Sequence, residues 1–208
     1  FDDRGNKYFE DDGLRRETDM DKLASLKPVF DRKYGLVTSG NSSQITDGAA
    51  MLLVASDKAV EKHDLPVLGE LVDHEWAGVD PAQMGLGPVH AVAGLLQRQK
   101  LEMHAIDHME LNEAFAAQVL GCQAAWDSNA YCREELGLEQ AIGAMDNSKL
   151  NPDGGAVGCG HPVGASGARL VLHALLALKR RGGGQAVATL CIGGGQGGAM
   201  LLRTEKSA

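Results

Sequence analysis

Residues 186–203 read AVATLCIGGGQGGAMLLR and decide the fold, because two apolar runs flank a turn made almost entirely of glycine. The run Ala186 to Ile192 is typical of a buried strand, and Ala199 to Arg203 is typical of a second strand. The short turn from Gly193 to Gly198 predicts that the two strands form an antiparallel hairpin. Cys191 stands at the mouth of this turn, whose missing side chains would let backbone amides approach a ligand.

Upstream of the hairpin, strand-like and helix-like segments alternate along the chain. We predict strands at Pro66 to Val72 and Ile106 to Leu111, with a loop from Gly78 to Gly87. Predicted helices run over Ser56 to His63, Pro88 to Gln99, Ala114 to Trp126, a short stretch near Arg133 to Leu136, and Ala165 to Arg181. The pattern indicates an α/β fold, with a mixed sheet flanked by layers of helices.

A second glycine-rich stretch, from Gly154 to Gly167, holds His161 just before a predicted helix. Glycines on both sides would let a substrate or a second side chain come close to the imidazole. Spacing alone favours a catalytic histidine and a structural one equally. Cys159 and His161 have the spacing of two metal ligands, but no third ligand presents itself, so we predict no metal site.

Two further patterns allow a functional and a structural interpretation. The turn from Gly193 to Gly198 satisfies the G-x-G-x-x-G pattern of dinucleotide-binding loops, but a strand-like segment follows where such a loop needs a helix. We therefore do not predict a nucleotide site. Asn112 lies where a strand passes into a helix, so its side chain could cap that helix or orient a water or a carbonyl oxygen.

Composition excludes several classes of protein. The chain has 208 residues, a formal net charge of -8 and 27 glycines in separate clusters. The negative charge argues against general nucleic-acid binding, and no apolar run is long enough to span a bilayer. The four cysteines form no C-x-x-C pair, so we expect reduced thiols in an intracellular, cytoplasmic protein. Because the sequence does not begin with Met, it gives no basis for judging organellar targeting.

Together these segments resemble the thiolase family, in the family's order and over nearly the whole chain. The matching pieces are Gly40-Asn41 with Asp47-Gly48-Ala49-Ala50, Met84-Gly85-Leu86-Gly87-Pro88, Asn112-Glu113-Ala114-Phe115, Gly160-His161-Pro162 with Gly164-Ala165-Ser166-Gly167, and Cys191-Ile192-Gly193-Gly194-Gly195. Thiolases transfer acyl groups between CoA and acyl-CoA in fatty acid and lipid metabolism. They cleave a 3-ketoacyl-CoA with CoA or run the reverse Claisen condensation.

The resemblance implies a role for each catalytic candidate. Cys191 would move a proton to or from the acetyl α-carbon, and His161 would activate a nucleophilic thiol and help to bind the thioester oxygen. Asn112 would hold the water that completes this oxyanion site, while the Gly193 amide would serve a second oxyanion hole. No permanently bound cofactor is implied, because CoA and acyl-CoA are substrates.

The resemblance also implies contacts with CoA and a division of the chain. Arg15 would meet the nucleotide end of CoA, Ser39 and Ser43 the pantetheine, and Met84, Ala114 and Phe115 would line the acyl or pantetheine tunnel. Residues 1–45 would be the tail of the CoA-covering loop region. Residues 46–65 would be the last helix and strand of the N-terminal thiolase domain, and residues 66–208 the C-terminal domain.

The chain departs from the family pattern because none of its cysteines lies in the motif of the family's nucleophile. We therefore expect the nucleophile to come from an N-terminal half in the same polypeptide or in a separate subunit, and the chain alone to be inactive. Exposed apolar surface is predicted on Met51 to Ala55. By analogy with the family, a homo-oligomer is expected. Cys159 stands where the family commonly has an aliphatic residue, and we interpret it as a packing residue.

Two alternative functions remain open. The first is a non-catalytic CoA-binding or scaffold subunit, although such a module would need no acid/base thiol at Cys191. The second is a condensing enzyme of the ketoacyl synthase type, which commonly has His at this position. The stretch between Phe115 and Gly154 is longer than in short-chain thiolases, but long-chain members often replace Asn112 by His, so the acyl-chain length is open.

Overall fold

A computed structural model describes residues 3–11 and 13–205 of the chain, and its elements alternate as an α/β protein requires. The helices are α1 (Met20–Ala24), α2 (Asp57–His63), α3 (Gly87–Gln99), α4 (Ala116–Asp127), α5 (Asn129–Glu134), α6 (Ala156–Cys159) and α7 (Val163–Arg180). The strands are β1 (Glu70–Gly78), β2 (His108–Leu111), β3 (Gly184–Ile192) and β4 (Gln196–Thr204). Among the described residues, two 3₁₀ segments lie at Pro81–Leu86 and Met103–Ala105.

The strands form one mixed sheet in the order β1-β4-β3-β2. β3 and β4 pair antiparallel from Gly184↔Thr204 to Ile192↔Gln196, so the hairpin predicted from the glycine turn is confirmed. β2 lies parallel to β3, and Leu111 aligns with Thr189. Because parallel strands end at the same edge, the chain segments that follow β2 and β3 meet there. Those segments begin with Asn112 and with the glycine turn.

Helices cover both faces of the sheet, and each face has its own core. α3 packs on one face through Val89, Val92 and Leu95, which are fully buried with Val187 and Leu201 of the hairpin. α7 packs on the other face. Its buried Leu170, Val171, Ala174, Leu175 and Leu178 recur at helical spacing against Ala186, Ala188 and Leu202. Because side chains alternate along β3, the strand contributes residues to both cores, as the layered fold predicts.

Strand β1 differs from its sequence prediction, which placed it at Pro66 to Val72. The strand runs instead over Glu70–Gly78 and includes the charged Asp73 and Glu75. Arg98 donates to Asp73 at 2.8 Å and also pairs with Glu75, while Gln99 donates to Asp73 at 2.6 Å. These partners on α3 satisfy the carboxylates, so polar residues that argued against a strand are tolerated in it.

Three loops are more ordered than the sequence predicts. The predicted loop before Pro88 contains the 3₁₀ segment, with the Asp80 side chain accepting from Ala82 N at its start. The predicted loop up to Gly167 contains α6, and α7 begins at Val163. The glycine turn is shorter than predicted, because Gln196 already pairs with Ile192.

The segment before the sheet is largely irregular. Helix α2 forms as predicted, with Ser56 as its N-cap, but the strand predicted within residues 46–65 is absent. A strand needs a neighbouring strand to pair its backbone groups, and residues 46–55 pair with none in the described structure. The exposed apolar surface predicted there is confirmed, since Met51, Leu53 and Val54 are 79–89% exposed. Among residues 3–11 and 13–205 we find no helix with both the length and the apolar character that a bilayer crossing needs.

Candidate active site

Backbone contacts with residues 44–45 fix the position of His161, whose ring meets Asn112 just past the C-terminal end of β2. Its backbone amide donates to the carbonyl of Gln44 at 2.8 Å, which joins the α6–α7 connection to the segment around Ile45. Gly160 just before it has a φ of 80°, and a Cβ there would meet the Thr46 side chain. Glycine is therefore required at this position for two reasons, its left-handed backbone and its close approach to Thr46.

The hydrogen bonds of the His161 ring select one tautomer. The Ser166 hydroxyl donates to the Pro162 carbonyl at 3.1 Å, and the same oxygen lies 2.6 Å from His161 Nδ1. Because its proton is used on Pro162, Ser166 Oγ accepts from Nδ1–H. Nε2 then holds a lone pair, toward which Asn112 Nδ2 donates at 3.3 Å. A lone pair on Nε2 is what a general base at this ring requires.

The surroundings of His161 also favour its neutral form. Partial burial lowers the pKa of the imidazole below its ordinary value, and the positive charge of Arg169 lowers it further. Arg169 is held in place because its guanidinium donates to the carbonyl of Gly160 at 2.9 Å. Both effects keep the ring unprotonated near neutral pH and therefore able to accept a proton.

Asn112 is buried between the sheet and His161, with a relative exposure of 1%. Its backbone amide donates to Thr189 on β3 at 3.0 Å, so the strand pairing continues past the end of β2. Its side-chain Oδ1 is buried and has no hydrogen-bond partner among the described residues. An orphaned buried oxygen is costly unless a water or a ligand satisfies it, so this atom marks a place for one.

Cys191 and Gly193 lie on the neighbouring strand end. Cys191 is buried and pairs with Gly197 across the hairpin, and burial raises the pKa of its thiol, an effect that its own backbone amide partly offsets. A raised pKa keeps the group protonated and able to give a proton away. Gly193 is exposed, and the space where its side chain would lie is open. No hydrogen bond joins the thiol to His161 or Asn112 within the described part of the chain.

Contacts with the 3₁₀ segment and α3 hold the glycine turn in place. A Cβ on Gly195 would meet the Val79 carbonyl and Pro81, and a Cβ on Gly197 would meet the backbone of Gly87. The Val79 amide also donates to the Gly195 carbonyl at 2.8 Å. The turn at Gly195 and the start of β4 at Gly197 are therefore closely packed against these segments, while Gly193 faces open space.

Some of the predicted CoA-contacting residues lie together beside this site. Ser43 donates through both its amide and its hydroxyl to the Ala114 carbonyl, at 3.0 and 3.2 Å. Phe115 pairs with Ser42 through a β-bridge and stacks edge-on against Phe30, with ring centroids 6.0 Å apart. The loop from Asn41 to Ser43 is thus joined to the start of α4.

The other three predicted contacts are less constrained. Met84 is half-buried in the 3₁₀ segment, and Ser39 is exposed in the turn before the bridge. Arg15 is exposed and makes no hydrogen bond or ion pair with any other residue that the structure describes. No contact of the Arg15 side chain therefore supports its predicted role.

Sequence reasoning missed two residues that organise the site. Ser166 was part of a quoted motif but had no role assigned, although a serine five positions after His161 on a helix start could have suggested one. Glu113 accepts from Asn151 Nδ2 and from the Val157 amide, both at 3.1 Å, and so ties the α6 region to the end of β2. The interpretation of Cys159 as a packing residue was wrong, since it is exposed at the end of the four-residue α6.

Comparison with known proteins decides the family. Residues 65–204 match the family described as thiolase, C-terminal domain, and residues 2–58 match thiolase, N-terminal domain. This chain belongs to the thiolase family. A 3-ketoacyl-CoA thiolase of Yersinia enterocolitica is 40% identical over 197 residues, which is 94% of this thiolase chain and 45% of the relative. The chain therefore spans less than half the length of the curated relatives it matches.

Solved thiolase structures have the same fold. An acetyl-CoA acetyltransferase of Bacillus anthracis aligns with a TM-score of 0.79 at 38% identity, over 93% of this chain and 45% of that one. The dimeric peroxisomal thiolase of Saccharomyces cerevisiae aligns at 0.77 and 38% identity, over 92% and 44%. Human mitochondrial 3-ketoacyl-CoA thiolase in complex with CoA aligns at 0.73 and 38% identity, over 94% and 45%. The layered α/β fold predicted from sequence is thereby confirmed.

Proposed function

We propose that this chain takes part in acyl transfer between CoA and acyl-CoA, either as thiolytic cleavage of a 3-ketoacyl-CoA or as the reverse Claisen condensation. The observation that supports this most is the arrangement at His161, whose unprotonated Nε2 lies beside the orphaned side chain of Asn112. A base next to an unfilled polar site suits a reaction that forms an oxyanion from a thioester. The chain supplies the activating His161 and the acid/base Cys191 but not the nucleophile.

In this mechanism His161 first takes the proton of a nucleophilic thiol that lies outside these 208 residues. The thiolate attacks the 3-keto carbon of the substrate, and the bond between carbons 2 and 3 breaks. The electron pair of that bond passes to the departing acetyl-CoA as an enolate. The protonated Nε2 of His161 then donates to the enolate oxygen, and a water held by Asn112 Oδ1 donates beside it.

Cys191 completes the cleavage by giving its proton to the enolate carbon, which releases acetyl-CoA. The raised pKa of the thiol favours this step, because the group enters it protonated. The backbone amide of Gly193 donates to the oxyanion that forms on the 3-keto carbon. The Cys191 thiolate then takes the thiol proton of CoA, whose sulfur attacks the acyl-enzyme and carries away the shortened acyl group. The released nucleophile recovers its proton from His161, which restores the starting state.

We assign CoA contacts to Ser39, Ser43, Met84, Ala114 and Phe115. The junction of Ser43 with Ala114 supports this assignment, because it places the hydroxyl-rich loop and the start of α4 at one side of His161. The proposed contact of Arg15 with the nucleotide end of CoA has no support from the geometry and rests on the sequence match alone. No cofactor beyond the CoA substrates is needed for these steps.

The nucleophile is expected from an N-terminal thiolase half, on the same polypeptide or on a separate subunit, within a homo-oligomeric enzyme. The apolar side chains of Ile45, Met51, Leu53 and Val54 support this expectation, since they are 79–93% exposed and require a cover. A non-catalytic CoA-binding or scaffold subunit is the second candidate. The tautomer selection at His161 argues against it, because CoA binding alone needs no base.

A chimaera tests the proposal. The N-terminal half of the Yersinia enterocolitica relative is fused ahead of this chain, and loss of acetoacetyl-CoA in the presence of CoA is followed. We expect turnover in the chimaera and none in the isolated chain. Cys191→Ala should abolish turnover while the upstream thiol still becomes acylated, whereas Cys159→Ser, an exposed thiol without a catalytic role, serves as the matched control.

Each result has a distinct meaning. Turnover by the isolated chain would contradict the need for an external nucleophile. A folded chimaera that binds CoA without turnover would favour the scaffold function. An unchanged rate in Cys191→Ala would reject the acid/base role of this thiol.

A further inference from the structure

A second polar cluster lies between β2 and α7, away from the His161 ring. His108 and Glu110 are two residues apart on β2, so both side chains point to the face that α7 covers. His108 Nε2 lies 2.6 Å from Glu110 Oε1, and His173 Nδ1 of α7 lies 2.9 Å from the same oxygen. His108 is fully buried and Glu110 is 3% exposed, whereas the His173 side chain is 32% exposed. The cluster is therefore buried on the side of His108 and Glu110 and reachable by solvent on the side of His173.

An outer carboxylate orients the half-buried His173. His173 Nε2 lies 3.3 Å from Asp153 Oδ2, and Arg180 donates to the same oxygen. With its ring proton on Nε2 and directed at Asp153, His173 can offer the lone pair of Nδ1 to an ion on the inner side. This is the arrangement found around histidines that bind metal ions, where the outer carboxylate fixes the tautomer and raises the basicity of the ligand.

We propose that His108 Nε2, Glu110 Oε1 and His173 Nδ1 bind a divalent transition-metal ion, for which Zn²⁺ is the best match. The three ligand atoms already lie within 4.8 Å of one another. Two imidazoles and one carboxylate are a donor set that zinc favours, with a fourth position left for water on the side exposed at His173. The acyl-transfer steps assigned to His161 and Cys191 use none of these residues, so the proposed metal site is independent of the proposed function.

Binding requires a small adjustment of the cluster. Ligand atoms around tetrahedral zinc are separated by about 3.4 Å when the bonds are about 2.1 Å, so Glu110 has to withdraw by less than about 1 Å from each histidine. The two histidine nitrogens, which lie within 4.8 Å of each other, have to approach by up to about 1.4 Å. The ion displaces the protons that lie between Glu110 Oε1 and the two histidine nitrogens, and metal-bound His173 carries its ring proton on Nε2, toward Asp153. The ring proton of His108 moves to its buried Nδ1, which has no partner among the described residues, and this lowers the affinity of the site.

Titration with Co²⁺ tests the proposal, because cobalt reports its ligands through its visible spectrum. The 208-residue chain is stripped with a chelator and titrated with Co²⁺, and Zn²⁺ is then added as a competitor. We expect one equivalent to bind with the spectrum of a tetrahedral site, no thiolate charge-transfer band, and displacement by Zn²⁺. Glu110→Gln and His173→Asn should lose this binding. Asp153→Asn should weaken it by about tenfold to a hundredfold, as loss of an outer carboxylate does.

The matched control is His104→Asn. His104 also has a carboxylate partner, Glu102 at 3.1 Å, but both side chains are about 80% exposed and no third ligand adjoins them among the residues that the structure describes. Its binding curve should coincide with that of the parent chain. Circular dichroism establishes that each variant is folded. If Glu110→Gln fails to fold, His173→Asn and Asp153→Asn decide the test, because both residues lie at the exposed side of the cluster.

Three results would overturn the proposal. The first is the absence of saturable Co²⁺ or Zn²⁺ binding by the parent chain, which would leave the cluster as a hydrogen-bonded network only. The second is binding that survives unchanged in His173→Asn and Asp153→Asn. The third is a thiolate band in the cobalt spectrum, which would place the ion on cysteine instead.

Discussion

At the scale of single residues, the Ser166 hydroxyl decides which nitrogen of His161 is available as a base. Its oxygen accepts from Nδ1–H because its own proton is held by the Pro162 carbonyl. The backbone amide of Ser166 also donates to that carbonyl, at 2.9 Å, so the first turn of α7 does not depend on the hydroxyl. Removing the hydroxyl should therefore disturb the tautomer of His161 and leave the fold intact.

We predict that Ser166→Ala lowers turnover of the chimaera by at least about tenfold, because part of the His161 population would carry its proton on Nε2 and could not act as a base. Nitrogen chemical shifts of the imidazole should show both tautomers in the variant and one in the parent. The control is Ser148→Ala, which removes an exposed hydroxyl that bonds Asp146. Full activity in Ser166→Ala would mean that the hydroxyl does not select the tautomer.

A second prediction concerns the titration of His161. Burial and Arg169 lower the pKa of this imidazole in the folded chain, so its NMR titration midpoint should lie below the value of the same residue in urea-unfolded chain. Between the two midpoints the unfolded chain binds more protons than the folded one. The free energy of unfolding contributed by His161 should therefore decrease as the pH falls below about 6.5. A folded midpoint at or above the unfolded one would contradict this.

Site residues could be predicted from the sequence only where the feature that marks them lies close by along the chain. Residues within one motif, such as Asn112 or His161, could be nominated because a glycine loop or a strand end is visible locally. The His108, Glu110 and His173 cluster could not, because its members come from β2 and α7 and meet only when the helix lies across the strand. Cys159 was misjudged because burial depends on what packs above α6, which local sequence does not state.

At the scale of secondary-structure elements, the close contact between Gly197 and Gly87 holds the start of α3 against the start of β4. A Cβ on Gly197 would meet the backbone of Gly87, which cannot move without displacing the helix. We predict that Gly197→Ala lowers the free energy of unfolding by about 1–3 kcal/mol, the usual cost of overpacking. Equilibrium urea unfolding measures the change.

The matched control for this contact is Gly78→Ala at the end of β1. Gly78 pairs with Gln196 in the adjacent strand, but a Cβ there meets nothing within 4 Å. Its free energy of unfolding should change by no more than about 0.5 kcal/mol. Equal losses in the two variants would mean that glycine is needed in these strands for a reason other than close packing.

The elements predicted best were those whose pattern is complete in local sequence. The β3–β4 hairpin needed only two apolar runs and a glycine turn, and α3 and α7 showed their apolar faces directly. Strand β1 was misplaced because its charged residues are satisfied by Arg98 on α3, a partner that lies more than 20 residues away. The strand expected before α2 did not form because strand formation requires a neighbour as well as an apolar run.

At the scale of the whole molecule, exposed apolar side chains lie along residues 45–54 next to the candidate site. Ile45, Met51, Leu53 and Val54 are each more than 75% exposed. We predict that the isolated chain binds a hydrophobic dye and self-associates, and that fusion to an N-terminal thiolase half suppresses both. The double variant Met51→Lys with Leu53→Lys should reduce dye binding in the isolated chain and impair turnover in the chimaera.

Val67→Lys provides the control for this surface. Val67 is also exposed, at 59%, but lies after α2 and outside residues 45–54. Val67→Lys should leave dye binding by the isolated chain and turnover by the chimaera close to the parent values. Analytical ultracentrifugation gives the association state of each variant. A parent chain that stays monomeric and binds no dye would contradict the interpretation of this surface as an interface.

The two outer strands of the sheet bear on how copies of this protein could assemble. The backbone of residues 149–151 bonds to Met109 along the outer side of β2. On β1, a register shift between Leu71 and Asp73 interrupts the regular ladder, and Asp73 and Glu75 turn their charges under α3. Both features disfavour the pairing of a further strand with the edges of the sheet. Growth into fibres by edge pairing is therefore disfavoured, and copies of this chain should associate through their faces and loops instead.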